Sequence, residues 1–159
     1  MDPVLSLAHL KGIFTDHHVI AVVGLSAKPE RPSHRVARYL QQVGYRIIPV
    51  NPGQDEILGQ TFYPNLRAIP GVSEGATGSV GAVDVVNIFR RAEQVGPIVE
   101  DAVAIGAKVV WMQQGIINEE AAQMAEQAGL TVIMDRCMLV DHRLIHGCRE
   151  DLPPDLPLG

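Results

Sequence analysis

Five short apolar runs, the first two stopped by Gly24 and by Asn51-Pro52-Gly53 and most of them separated by stretches with helical spacing, decide most of what this chain can fold into. They occupy 19–23, 45–50, 83–89, 108–112 and 130–134. Val, Ile and Leu dominate them, as in strands buried on both faces of a parallel sheet. Between the runs, 33–43 brings Val36, Tyr39, Leu40 and Val43 to one helical face, and 97–105 turns Ile98, Val99, Ala102 and Ile105 inward. Asn118 is the expected N-cap of a further helix, with Glu119 and Glu120 in the first turn, where acids favour the helix dipole. An opening helix is expected at about 4–14, with Leu5, Ala8 and Ile13 among its apolar positions, and a closing one at 138–146. Pro49 within the second run is the one dissonant residue, since proline cannot donate to a ladder.

Strands alternating with helices at this spacing predict βαβ units with right-handed crossovers. The expected fold is α/β: a single Rossmann-like domain whose five-stranded, mostly parallel sheet carries helices on both faces. The 159 residues suit one such domain, spanning 1–146. The Pro-rich stretch 147–159 is expected to be a disordered tail, and 71–81, rich in Gly and Ser, a flexible loop. A net charge of −5 argues against nucleic acid as a partner. A polyphosphate then needs a local cationic cluster or backbone amides. No apolar stretch approaches a membrane span, no signal peptide opens the chain, and Cys137 and Cys148 form no CxxC pair. A cytoplasmic, reduced protein is expected, with no membrane partner.

Ligands of such sheets bind beyond the carboxyl ends of the strands, near the switch in strand order. The residues after Val23, Val50, Phe89, Met112 and Met134 are therefore the candidates. Gly24 lets the chain turn tightly into a phosphate-binding position before a helix. A dinucleotide fingerprint would need glycine at three positions, here Gly24, Ser26 and Pro29, and fails at two of them. The acidic residue that would take the ribose hydroxyls of NAD is replaced by Asn51 and Pro52. Both departures argue against a typical NAD site, and a plain strand-end turn is the competing reading. Lys28 and Arg31, in the loop, are read as anion-binding, together with Ser33. Arg38, farther along the helix, is read as part of a solvated face. Phe89, Arg90 and Arg91 stand at the mouth of the sheet, where arginines can pair with phosphate. Gln113, Gln114 and Gly115 follow the fourth run at the same edge. His142 and His146 share a helical face but lack a second ligand cluster, so no metal is expected. No nucleophile–base pair can be assembled, so no catalytic residue is named.

Longer stretches carry a resemblance: AVVGLSAKPERPSHRVARYLQQVGYRIIPVNP, EILGQTFYPNL, VDVVNIFRRAEQV, GAKVVWMQQGIINEEAAQMAEQAGLTVIMDRC and the later DHRL. In this order they cover most of 18–145. The chain resembles the small bacterial and archaeal CoA-binding domain proteins, which are related to the N-terminal CoA-binding domain of the succinyl-CoA synthetase α-subunit. The resemblance implies a site for coenzyme A, or an acyl-CoA, at the strand ends. Gly24, Ser26 and Ala27 would hold the pyrophosphate, and Lys28, Arg31 or Arg91 would reach phosphates, the 3′-phosphate included. Val50, Asn51 and Pro52 would border the adenosine, Phe89 and Arg90 would line the cleft, and Gln114 and Gly115 would lie toward the pantetheine arm. The 71–81 loop is longer than the family's usual one. No counterpart of the synthetase's second domain, with its phosphohistidine, is expected within these 159 residues, so the ligase reaction is not expected to carry over. The expected function is a non-catalytic binding module: carrier, sensor or assembly subunit. Its expected partner is a small nucleotide ligand, with a homodimer or an unidentified protein partner left open. The alternatives are a small NAD(P)-dependent or acyl-CoA-using enzyme, and a redox switch joining Cys137 to the CoA thiol.

Overall fold

The computed structural model describes residues 6–52, 56–57, 59–70 and 83–146. The 71–81 loop, the 147–159 tail, Leu5 and Cys148 lie outside the described residues. The chain runs α1 (Leu7–Asp16), β1 (Val19–Val23), α2 (Pro32–Gln42), β2 (Arg46–Val50), β3 (Glu56–Ile57), β4 (Gln60–Thr61), β5 (Val85–Ile88), α3 (Val95–Ala104), β6 (Val109–Met112), α4 (Glu119–Gln127), β7 (Thr131–Ile133) and α5 (Met138–His146). Five strands form one parallel sheet in the order β2-β1-β5-β6-β7. The short β3 and β4 pair separately as an antiparallel hairpin, too short to show a period in the sequence.

The period of two along each strand feeds two cores. Ile20, Val22, Ile47, Val85, Val109 and Trp111 point to the side covered by α1, α2 and α5. Ala21, Val23, Ile48, Val50, Val86, Ile88 and Met112 point to the side of α3 and α4. The chain steps outward from β1 to β2, then returns past β1 to β5. The switch in strand order therefore lies between β1 and β5, where the following loops diverge.

Pro49 fits because β2 is an edge. Arg46 N donates to His18 O and Gly24 N to Val50 O, so alternate residues of β2 face β1. Pro49 has the other parity. Its nitrogen meets the free edge, and its carbonyl accepts from Tyr63 N at 3.0 Å.

Three sequence expectations shift. The first helix starts at Leu7, because Ser6 Oγ caps it by accepting from His9 N, and Ala8 faces outward while Leu7, Leu10, Ile13 and Phe14 are buried. Val43 is 43% exposed, since α2 ends at Gln42 and Val43 is its C-cap. The third helix begins at Val95, which puts Pro97 in its first turn, where a missing N–H costs nothing.

Candidate functional site at the carboxyl edge of the sheet

The ends of β1, β2 and β5 are stitched together around Gly24. Its N–H donates to Val50 O at 2.8 Å, and Phe89 N donates to Val23 O at 2.8 Å. Gly24 has φ +89°, and a Cβ on it would sit 2.3 Å from Phe89 O. Only glycine permits this approach.

The loop into α2 is held by its own hydroxyls. Ser26 N donates to Ser33 Oγ at 3.0 Å, Lys28 N to Ser26 Oγ at 3.1 Å, and His34 Nδ1 to Ser26 O at 3.0 Å. Arg31 and Pro32 open α2, and no side chain caps it. Its positive end therefore faces the loop. Gly24, Ser26, Lys28, Arg31, Ser33 and Phe89 border an open cleft of about 360 Å³ on this side.

A second cleft, of about 180 Å³, lies on the α3 side of the switch point. Val50, Pro52, Pro64, Leu66 and Ile98 make it largely apolar, with Arg90 and Asp101 at its rim. Between the two clefts stands Asn51. Its Nδ2 donates to Leu25 O at 2.9 Å, and its Oδ1 accepts from Arg90 Nη2 at 3.0 Å.

The structure thus brings together Gly24, Ser26, Lys28, Arg31, Ser33 and Phe89 in one cleft, and Val50, Pro52 and Arg90 in the other, joined by Asn51. Ala27 and Arg91 are exposed beside them without lining either. Gln114 and Gly115 are exposed after β6 and also line neither, and Gly115 N is held by Asp135 Oδ1 at 2.7 Å. Gln113 turns inward instead of toward the edge: it is 3% exposed, and its Nε2 donates to the buried Asn87 Oδ1 at 3.1 Å. Pro64, Asn65, Leu66, Ile98 and Asp101 are lining residues that sequence reasoning missed. The stretch FYPNL was in view, but only the bridge between Val50 and Tyr63 folds it over the end of β2.

Cys137 is half-buried against the α1–α2–α5 core and lines neither of these clefts. His142 and His146 do share a face, with ring centroids 4.4 Å apart. His142 Nδ1 is taken by the Tyr39 hydroxyl at 2.7 Å, and among the described residues no three His, Cys, Asp or Glu side chains converge as metal ligands.

The profile of the family described as CoA binding domain matches residues 18–143. The chain belongs to this family. It is 45% identical over 137 residues to the uncharacterised protein YneT of Bacillus subtilis, covering 86% of this chain and 94% of YneT. A hypothetical protein from Pyrococcus horikoshii has the same fold, with 34% identity and a TM-score of 0.79 over 92% of this chain and all 100% of its own. Part of the chain, 79 residues or 48%, is 33% identical to 12% of the ADP-forming acetate–CoA ligase II of Archaeoglobus fulgidus. The apo acetyl-coenzyme A synthetase 1 of Ca. Korarchaeum cryptofilum matches with 26% identity and a TM-score of 0.61, over 74% of this chain and 26% of the synthetase. The family thus stands beside much longer CoA ligases and synthetases, as the sequence resemblance implies. No helix among the described residues is long and apolar enough to cross a membrane.

Proposed function

We propose that the protein binds coenzyme A or an acyl-CoA across the carboxyl ends of β1, β2 and β5, as a binding module that supplies no catalytic group of its own. One observation carries the reading: an apolar cleft and a cationic cleft flank the joined ends of β1, β2 and β5, where Asn51 bonds to Leu25 O and to Arg90. That arrangement suits a ligand in which a diphosphate joins a purine nucleoside to a flexible arm. The adenosine would lie against Val50, Pro52, Leu66 and Ile98, and the diphosphate would cross the Gly24–Ser26 turn within reach of Lys28, Arg31 and Ser33. Arg91 and the exposed Gln114–Gly115 turn would follow the phosphates and the pantetheine arm. CoA brings its own thiol, so the protein need only hold and orient it. The module would then serve as a carrier, a sensor or a subunit of a larger assembly.

The nicotinamide alternative lacks support at the same place. Both ends of the Asn51 amide are engaged, and Asn51 and Pro52, the described residues that follow β2, offer no carboxylate for a ribose diol. The deciding experiment is acid release of any co-purified nucleotide, identified by mass spectrometry, followed by calorimetry with CoA and NAD+. Saturable CoA binding with none for NAD+ is expected. The reverse preference would overturn the proposal.

A further inference from the structure

We infer that Asn51 is a positioning residue that aims the Arg90 guanidinium at the switch point without a carboxylate partner among the described residues, and so sets the site for ligands with a diphosphate bridge. The inference rests on the reading that CoA occupies this edge.

The backbone of Asn51 is fixed where its N–H donates to Tyr63 O at 2.9 Å. Its side chain then faces two partners of opposite demand. Leu25 O requires a donor, and Arg90 Nη2 requires an acceptor. The amide meets both at once, whereas a carboxylate offers no donor and an apolar side chain offers neither group. The amide cannot reverse, because that would set NH2 against guanidinium and oxygen against carbonyl.

Arg90 is half-buried and lies directly over the glycine turn: a Cβ on Gly24 would be 3.4 Å from its Nε. Neither the Arg67–Asp101 nor the Arg136–Asp141 ion pair includes it. The carboxylate nearest to hand in the α3-side cleft, Asp101, is held by Arg67 Nε at 2.6 Å. Arg90 therefore carries a positive charge, partly withdrawn from water, steered by a neutral dipole. A guanidinium so held keeps N–H donors for phosphate oxygens, which it matches in geometry.

An aspartate at this position would repel Leu25 O and pair with Arg90, cancelling the charge that phosphate needs. In NAD sites the end of this strand carries an acid for the ribose. Here the same position is given to steering a cation, so one side chain divides the two ligand classes.

The test is calorimetric titration of CoA into the wild-type chain, Asn51→Asp, Arg90→Gln and the double variant, each with a thermal unfolding control. Each single variant is expected to weaken CoA by about tenfold. In the double, Asn51→Asp should add less than about a further threefold, because its effect passes through Arg90. Affinity should also depend less on salt in both singles than in the wild type, which a loss of folding alone would not produce. Should Asn51→Asp not fold, Asn51→Ala takes its place: it leaves the charge of Arg90 and removes its steering partner, so wild-type affinity there would overturn the inference. Wild-type affinity in Asn51→Asp, or full additivity in the double, would overturn it as well, with CoA binding itself left standing. A wild-type chain that does not bind CoA would remove both the function reading and this inference.

Discussion

The Cβ that Gly24 lacks and the carbonyl oxygen of Phe89 would occupy nearly the same space, 2.3 Å apart. The carboxyl ends of β1 and β5 can converge only because that atom is missing, and both clefts are bordered by the residues they deliver. Gly24→Ala meets two obstacles: a left-handed backbone, at φ +89°, and a clash with main chain that cannot swing aside. Gly44→Ala separates them, since Gly44 has φ +109° and nothing within 4 Å of the place a Cβ would take. Gly44→Ala is expected to cost about 1–2 kcal/mol from backbone strain alone. Gly24→Ala should cost clearly more in urea unfolding and should abolish CoA binding in whatever fraction remains folded. Equal costs would mean that the strand ends relax apart freely.

The cationic side of the site is testable by charge reversal at constant net charge change. Lys28 and Arg31 border the α2-side cleft, whereas Arg38 is exposed on α2 and borders neither cleft. Lys28→Glu and Arg31→Glu are each expected to weaken CoA about tenfold at low salt, with the difference shrinking as salt screens the charges. Arg38→Glu should leave the affinity within about twofold. If all three fall alike in calorimetry, only the overall charge of the protein matters, and the loop assignment fails.

α5 is fastened by a buried ion pair. Arg136 Nε and Nη2 donate to Asp141 Oδ2 and Oδ1 at 2.7 and 2.8 Å, with Asp141 2% exposed. The backbone oxygen of Arg136 also accepts from Trp111 Nε1 at 2.7 Å, so the pair ties α5 to the sheet. Asp141→Ala strands a partly buried guanidinium and is expected to cost about 3 kcal/mol, the lower end for such pairs because Arg136 keeps some contact with water. Trp111, the only tryptophan and fully buried, reports unfolding by fluorescence. A loss below about 0.5 kcal/mol would put this pair with exposed ones that contribute little.

Much of this was legible because it is written locally. The runs that became β1 and β2 stop at Gly24 and Asn51, and the run that became β5 ends at Phe89, so all three could be assigned to one edge before any geometry. The family resemblance extended that to nearly the whole chain. What stayed hidden depends on partners far apart in sequence. Nothing near Asn51 announces Arg90 or Leu25 as its partners, and nothing near Ser26 announces that Ser33 Oγ holds its N–H. Gln113 looked like an edge residue beside Gln114, yet one step of strand parity turns it toward Asn87 in the core. Val43 failed for a local reason: helical spacing continues past Gln42, but the helix does not.

The last prediction concerns pH and lies away from the clefts. His142 is buried between α1, α2 and α5, with the rings of Phe14, Tyr39 and Tyr45 set edge-on at centroid distances of 5.2, 5.4 and 5.8 Å. Its Nδ1 lies 2.7 Å from the Tyr39 hydroxyl in a hydrogen bond. Burial, and then the neighbouring His146, lower its pKa from 6.5 to about 4. The unfolded chain therefore takes up a proton near pH 6.5 while the folded chain does not. The contribution of this group is fully present above about pH 6.5, is lost progressively as pH falls toward about 4, and declines no further below that. Urea midpoints should fall across this window in the wild-type chain. His142→Phe lacks the titration and the Tyr39 bond, so it should start from a lower midpoint at neutral pH but decline less on acidification. His146→Ala removes the neighbouring charge and should move the onset of protonation in the fold upward, narrowing the window. Parallel pH profiles for the wild type and His142→Phe would show that acid sensitivity arises elsewhere.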